Sequence, residues 1–200
     1  DNLYLNLLSK YESENVNIIK ADAKLFKIED YLDNKEKYKF VGNLPYNVAN
    51  KIILNFLQSL PKPEFMIVML QLEVAKRIIG DEKFRGYLTI MIGIFCKSEI
   101  LFQVKSTAFK PKPKVTSAVL KLIPYEKPKI NISDINKFSD FVGKSFISRR
   151  KTILNNIASG HKISKNEAVE ILNQSKINLN LRPQNLSVDD WVKLYFIYKK

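Results

Sequence analysis

One cysteine, one histidine and six glycines among 200 residues leave little room for several familiar chemistries. Cys96 has no partner for an internal disulfide, which fits a reducing, cytoplasmic compartment. It stands in the apolar stretch Ile94-Phe95-Cys96 and reads as buried and inert rather than nucleophilic. His161 alone cannot furnish a multi-histidine zinc site, and it disfavours a Ser-His-Asp triad; no metal is expected. The longest apolar run, 87–96, is too short to cross a bilayer. No basic-then-apolar leader opens the sequence, so no secretory signal is expected. The glycines are scattered, and no two of them form a G-x-G.

Acids are also scarce. Lys and Arg outnumber Asp and Glu by 33 to 20, a formal net charge of +13. Such an excess predicts a surface that attracts polyanions, of which nucleic acid is the commonest. A compositional taste for Lys, Ile and Asn would raise the charge as well, so charge alone leaves both readings open. With 46% hydrophobic and 26% charged residues, the chain has the profile of a globular protein with a sizeable core.

Periodicity divides the chain in two. Up to residue 126, strand-like and helix-like stretches alternate, as in an α/β sheet with crossover helices. Strands are expected over 16–20, 38–42, 65–70, 100–104 and 115–123, the last two as an antiparallel edge pair. Helices are expected over 47–60, 73–79 and 87–96. A Pro-bearing linker over 127–132 follows, and 133–200 reads as helix only. There, Ser133-Asp134 is expected to cap a helix reaching residue 146, and further helices are expected over 149–158, 165–174 and 188–198. Ser164 and Ser187 are expected N-caps, each with an acid three residues on, Glu167 and Asp190. The chain starts with Asp1, and Leu3, Tyr4, Leu5, Leu7, Leu8 and Tyr11 already read as an amphipathic helix, so it is expected to begin inside a domain.

Asn43-Leu44-Pro45-Tyr46 follows a strand and precedes a helix, the place where ligands bind in open α/β sheets. Pro45 has a fixed φ and no N–H, so the Leu44 carbonyl can turn from the ladder toward a ligand. An amide, an aimed carbonyl and an aromatic ring suit an exocyclic amine on a flat ring. Asn43 and Leu44 can each accept one amine hydrogen, and Tyr46 can stack on the ring. From these four residues alone, a simple turn after a strand reads equally well.

The surrounding residues are more specific. The segment 40–49 resembles motif IV of the KsgA-like ribosomal RNA adenine dimethyltransferases, which the Erm enzymes also resemble. In matching order, Ile19-Lys20-Ala21-Asp22-Ala23 resembles that family's acid for the cofactor adenine. The segment 69–77 resembles its next strand and helix, and 108–119 its motif VIII loop and last strand. The segment 146–155 resembles its Arg-Arg-Lys run. The resemblance implies a class I, Rossmann-like methyltransferase sheet over 1–126, N-terminally incomplete, with a small all-α RNA-binding domain over 133–200. It implies S-adenosylmethionine as cofactor, bound through Asp22, Ala23 and Asn43. It implies a catalytic set of Asn43, Leu44, Pro45, Tyr46 and Phe109, with Tyr46 and Phe109 sandwiching an extruded base. It implies dimethylation of adenine N6 in the ribosomal RNA of an immature small subunit, by a monomer.

Three basic clusters are candidate RNA contacts: Lys83 and Arg85, then Lys110, Lys112 and Lys114, then Arg149, Arg150 and Lys151. A solvated face is the plainer alternative, and Arg149 and Arg150 could instead brace the two domains. An Erm-like enzyme of the large subunit and a non-catalytic RNA-binding relative are the other readings. Leu44, where Erm-like enzymes tend to have Ile, leans toward the first.

The family's Gly-rich loop for the methionine part of the cofactor has no counterpart here, nor does its ribose-binding acid. Without the strands that carry them, the strand at 16–20 has no neighbour, and the sheet is expected to keep an open edge. The sequence is thus expected to be part of a longer protein. The 200-residue polypeptide by itself is expected to bind S-adenosylmethionine weakly or not at all, and titration calorimetry returning a micromolar constant would refute this.

Overall fold

The computed structural model describes residues 10–11, 13, 15–81 and 85–199. The helix expected across 3–11 falls almost wholly outside them. The sheet begins with β1 (Lys39–Asn43), which leads through a turn to α1 (Ala49–Gln58). Then come β2 (Phe65–Gln71), α2 (Leu72–Ile79), α3 (Tyr87–Gly93), β3 (Cys96–Val104) and β4 (Ser117–Pro124). Four helices follow: α4 (Ile135–Ser145), α5 (Ile153–His161), α6 (Lys165–Gln174) and α7 (Val188–Tyr198).

The strand order is β1-β2-β4-β3, with β1 and β2 parallel and the other two pairs antiparallel. The sheet is therefore mixed, as expected for its last pair. Met66, Val68 and Leu70 seal one face of β2, while Phe65, Ile67 and Met69 stay half-buried. Ile52, Ile53, Phe56 and Leu57 give α1 its buried stripe, at the helical spacing the sequence predicts. Phe56 also lies 4.5 Å, ring to ring, from Phe40 of β1, which ties helix to strand.

Some expectations are corrected. Residues 16–20 form no strand; only an isolated bridge joins Ser13 and Val16, and Val16 and Ile19 are exposed. A β-rich run needs a neighbouring strand to satisfy its backbone, and among the described residues none lies beside it. β1 accordingly forms one edge of the sheet, with Val41 exposed. The helix expected to reach Cys96 stops at Gly93, because Cys96 pairs with Pro124 as the first residue of β3. Burial pushes the Cys96 thiol up to about 12, the inert state expected of it. Asp134 closes a 3-10 turn before α4 but caps nothing with its side chain. Its carboxylate instead takes the Lys199 ammonium at 2.9 and 3.0 Å, fastening α7 to the start of α4. The helix expected from residue 149 starts at Ile153, after Thr152 caps it.

Local signals fare well elsewhere. Ser164 accepts from the Glu167 amide at 3.1 Å. Ser187 and Asp190 form a reciprocal capping box at the start of α7. Residues 125–130 run along the sheet: Lys62 donates to the Tyr125 and Glu126 carbonyls, Lys129 N–H to the Ile94 carbonyl, and Ile130 is buried.

The helical segment packs closely on α3. A Cβ placed on Gly93 would lie 2.7 Å from Cγ2 of Val188 on α7. Closer still, a Cβ on Gly160 of α5 would lie 2.0 Å from the Lys144 carbonyl oxygen on α4. Backbone cannot rotate away as a side chain can. Gly160→Ala is therefore expected to destabilise the fold by about 2–3 kcal/mol, against the gain helix propensity would give. Urea unfolding checks it, and a stability equal to or above that of the parent would refute the close crossing.

Candidate active site

The ladder between β1 and β2 determines the site. Asn43 stands opposite Met69, and the Leu44 amide donates to the Met69 carbonyl at 3.1 Å. At Pro45, whose φ is fixed, the chain leaves the ladder. The Pro45 carbonyl then accepts from the amides of Val48 and Ala49 at 3.1 and 3.0 Å and opens α1. The Leu44 side chain is buried and anchors the turn. Its carbonyl accepts no backbone hydrogen bond among the described residues. Asn43 is exposed at the carboxyl end of β1.

Tyr46 is half-buried, and its hydroxyl lies 3.0 Å from Oγ of Ser117. Ser117 is fully buried as the first residue of β4, opposite Gln71 of β2 and Val104 of β3. The tip of the Tyr46 ring is thus tethered to a rigid strand. Phe109, Lys110, Pro111 and Pro113 face it from the loop between β3 and β4. With Asn43, Leu44, Pro45 and Tyr46 they enclose a cleft of about 360 Å³, large enough for a small planar ligand. Neither Tyr46 nor Phe109 stacks on another aromatic ring among the described residues. Among the described residues, the walls carry no carboxylate and no histidine.

The structure thus brings Asn43, Leu44, Pro45, Tyr46, Phe109 and Lys110 to one cleft. Asp22 and Ala23 do not line it. They sit on a loop pinned to the flank of α1 by Asn55, whose Nδ2 donates to the carbonyls of Ala23 at 3.3 Å and Phe26 at 2.8 Å. Phe26 continues the anchorage by stacking on Tyr31 at 5.0 Å and approaching Phe56 at 6.0 Å. The Asp22 carboxylate is exposed and accepts from the Lys24 amide at 3.0 Å, with the Lys24 ammonium also at 3.0 Å. Those contacts, the amide first, hold its carboxyl below the usual carboxylate range, so it stays an ionised acceptor.

The basic clusters take different roles. Lys112 and Lys114 are exposed on the loop that bears Phe109 and Lys110. Lys83 lies outside the described residues. Arg85 is half-buried; its Nε donates to the Gly80 carbonyl at 3.2 Å, and its own carbonyl accepts from Arg149 Nη2 at 3.3 Å. Arg149 therefore does brace the sheet-bearing half against the helical one, while remaining exposed. Arg150 and Lys151 are exposed on a turn before α5 rather than on a helix.

Three residues escaped the sequence reading. Ser117 holds Tyr46, and Asn55 holds the Asp22 loop. Asn156, buried in α5, accepts from the Ser148 amide at 2.8 Å and donates to the carbonyls of Ser148, Lys151 and Thr152 at 2.9, 3.2 and 3.0 Å. The only available signal was an amide among apolar helix positions, as at Asn55 and Asn156.

The family model described as ribosomal RNA adenine dimethylase matches residues 1–200. A protein of Sulfurihydrogenibium sp. (strain YO3AOP1) named "Ribosomal RNA small subunit methyltransferase A" is 36% identical over 183 residues, 90% of this chain and 66% of the relative. One of the same name from Dehalococcoides mccartyi (strain BAV1) is 34% identical over 200 residues, 99% of this chain and 68% of the relative. The chain spans about two thirds of the length of these relatives. Among solved structures, a dimethyladenosine transferase from Plasmodium falciparum aligns with a TM-score of 0.72 and 23% identity, covering 98% of this chain and 77% of that one. The 23S rRNA methyltransferase ErmE aligns with a TM-score of 0.69 and 22% identity, covering 100% of this chain and 78% of that one. These two likenesses show the fold, a Rossmann-like methyltransferase sheet. On the whole-chain match and the identities to its relatives, this chain belongs to the ribosomal RNA adenine dimethylase family.

Proposed function

We propose that the protein dimethylates adenine N6 in small-subunit ribosomal RNA, acting as a monomer on the immature subunit, with S-adenosylmethionine as methyl donor. The cleft between Asn43-Leu44-Pro45-Tyr46 and Phe109 carries this reading. An adenine entering between the Tyr46 and Phe109 rings presents its exocyclic amine to two acceptors. Asn43 Oδ1 takes one hydrogen, and the Leu44 carbonyl, freed by Pro45, takes the other. Both bonds draw the nitrogen lone pair out of conjugation with the ring and toward the methyl donor. Base stacking holds the ring, worth roughly 1–3 kcal/mol per base. Position and orientation then supply most of the acceleration.

The residues present fit part of the cofactor. Asp22 offers an ionised acceptor to its adenine amine, Ala23 lies beside it, and Asn43 reaches the donor from the target side. When bound, S-adenosylmethionine supplies a methyl group on a sulfonium and leaves as a neutral thioether. The nitrogen that gains the methyl is cationic and acidic enough to lose a proton to solvent without a strong base. Walls without carboxylate or histidine support that chemistry. Lys110, Lys112 and Lys114 suit phosphates flanking the extruded base.

Asn43→Ala in the full-length protein is expected to lower methyl transfer to immature small subunits on the order of 100-fold, with RNA binding kept. Unchanged transfer would remove Asn43 from the mechanism. The Tyr46–Ser117 tether has its own signature. Tyr46→Phe and Ser117→Ala are each expected to cost about 1 kcal/mol in transition-state stabilisation, about fivefold in rate. Because they break the same bond, the double variant is expected to match either single one. Additive losses in that double-mutant cycle would show that the hydrogen bond does not orient the ring.

A further inference from the structure

A second cleft, of about 410 Å³, opens along the first turns of α1. Leu54 of α1 and Tyr87 and Leu88 of α3 make its apolar walls, and Asn50 lines it between them. The side-chain oxygen of Asn50 is buried and has no hydrogen-bond partner among the described residues. Three cations from three separate elements rim the cleft: Lys51 of α1, Arg77 of α2 and Arg149 from the turn before α5. Arg77 is paired with Glu73, whereas Lys51 and Arg149 are exposed, and Arg149 spends one N–H on the Arg85 carbonyl. The Tyr87 hydroxyl lies 2.6 Å from Oγ of Ser139, which fixes the ring that walls the cleft. Apolar walls with a ring suit a stacked base, a free amide suits its hydrogen-bonding edge, and a cationic rim suits its phosphate.

We propose that this cleft takes the nucleotide adjoining the target adenosine. Its base lies on Leu54, Tyr87 and Leu88, its edge meets the Asn50 amide once that side chain turns its buried oxygen into the cleft, and its phosphate sits among Lys51, Arg77 and Arg149. The placement rests on the reading of the first cleft as the adenine site. Tyr46 lines the first cleft and Asn50, four residues on in the first turn of α1, lines the second, so the two stand on either end of one short stretch of chain, as neighbouring nucleotides require. Asn50 is then a specificity residue, reading the neighbour of the methylated base rather than the base itself. The charge of the rim fits a nucleotide and not an acid-binding basic peptide.

Binding of a fluorescein-labelled RNA hairpin with adenines in its loop, followed by anisotropy over a salt series, tests the proposal. Lys51→Glu and Arg149→Glu are each expected to weaken binding about tenfold and to flatten the salt dependence. Asn50→Leu is expected to weaken binding about fivefold with the salt dependence unchanged, and without lowering the melting temperature, since it removes a buried oxygen that has no partner. Wild-type affinity in Asn50→Leu, or charge reversals that leave the salt dependence intact, would overturn the proposal. Should Asn50→Leu fail to fold, 4-thiouridine beside a loop adenine crosslinks the unaltered chain. Adducts on Tyr87 or Leu88 support the cleft, and adducts only elsewhere refute it. Asn43→Ala separates the two readings: unchanged methyl transfer in that variant sinks the adenine site, while the hairpin affinities still judge the second cleft.

Discussion

A proline cannot extend a β-ladder, and the site depends on where that limit falls. The pairing of β1 with β2 runs through the Leu44 amide and ends at Pro45. One residue later, the ladder would take up the Leu44 carbonyl, and Tyr46 would continue β1 instead of crossing to Ser117. The same proline supplies the carbonyl that starts α1, so the turn and the helix meet at one residue. A backbone acceptor in the site carries no side-chain freedom to be frozen, which suits a geometry that must be set before the ligand arrives.

Around that turn the molecule uses distant partners to stiffen what is locally loose. Ser117 lies 71 residues from Tyr46 and comes to it only because β4 runs antiparallel to β2. The Asp22 loop has no strand to lean on and is instead held by Asn55 and by ring contacts to Phe56. The helical segment is locked by Lys199 on Asp134 and by contacts too close to admit a side chain at Gly93 or Gly160. In the first two cases an irregular stretch that carries chemistry is fastened to a regular element that does not.

What could be read in advance was what local chemistry determines. The ends of α6 and α7 were legible because Ser164 and Ser187 cap them through bonds three residues long. The buried stripe of α1 was legible because it repeats with the helix. Asn43 to Tyr46 and Phe109 were named from motif resemblance, and the cleft joins them. Illegible were the features that depend on what lies alongside. Residues 16–20 look like a strand and are not one, for want of a neighbour. Asp134 looks like a cap and serves as an ion-pair partner to a lysine 65 residues away. For Arg149 a brace was legible, but not that its partner is the Arg85 carbonyl. Ser117 gave no pattern at all, and Asn55 and Asn156 only that of an amide among apolar helix positions, since a single polar residue declares its role only through its partner.

The amide of Asn156 bonds to backbone groups of Ser148, Lys151 and Thr152, and to no side chain in the turn. The course of the turn is therefore written in main-chain atoms that every amino acid shares. Arg150 and Lys151 can be exchanged without redirecting the chain. Shape and charge are thus under separate control at this surface: one residue keeps the path, and its neighbours remain free to be tuned to whatever polyanion the path meets.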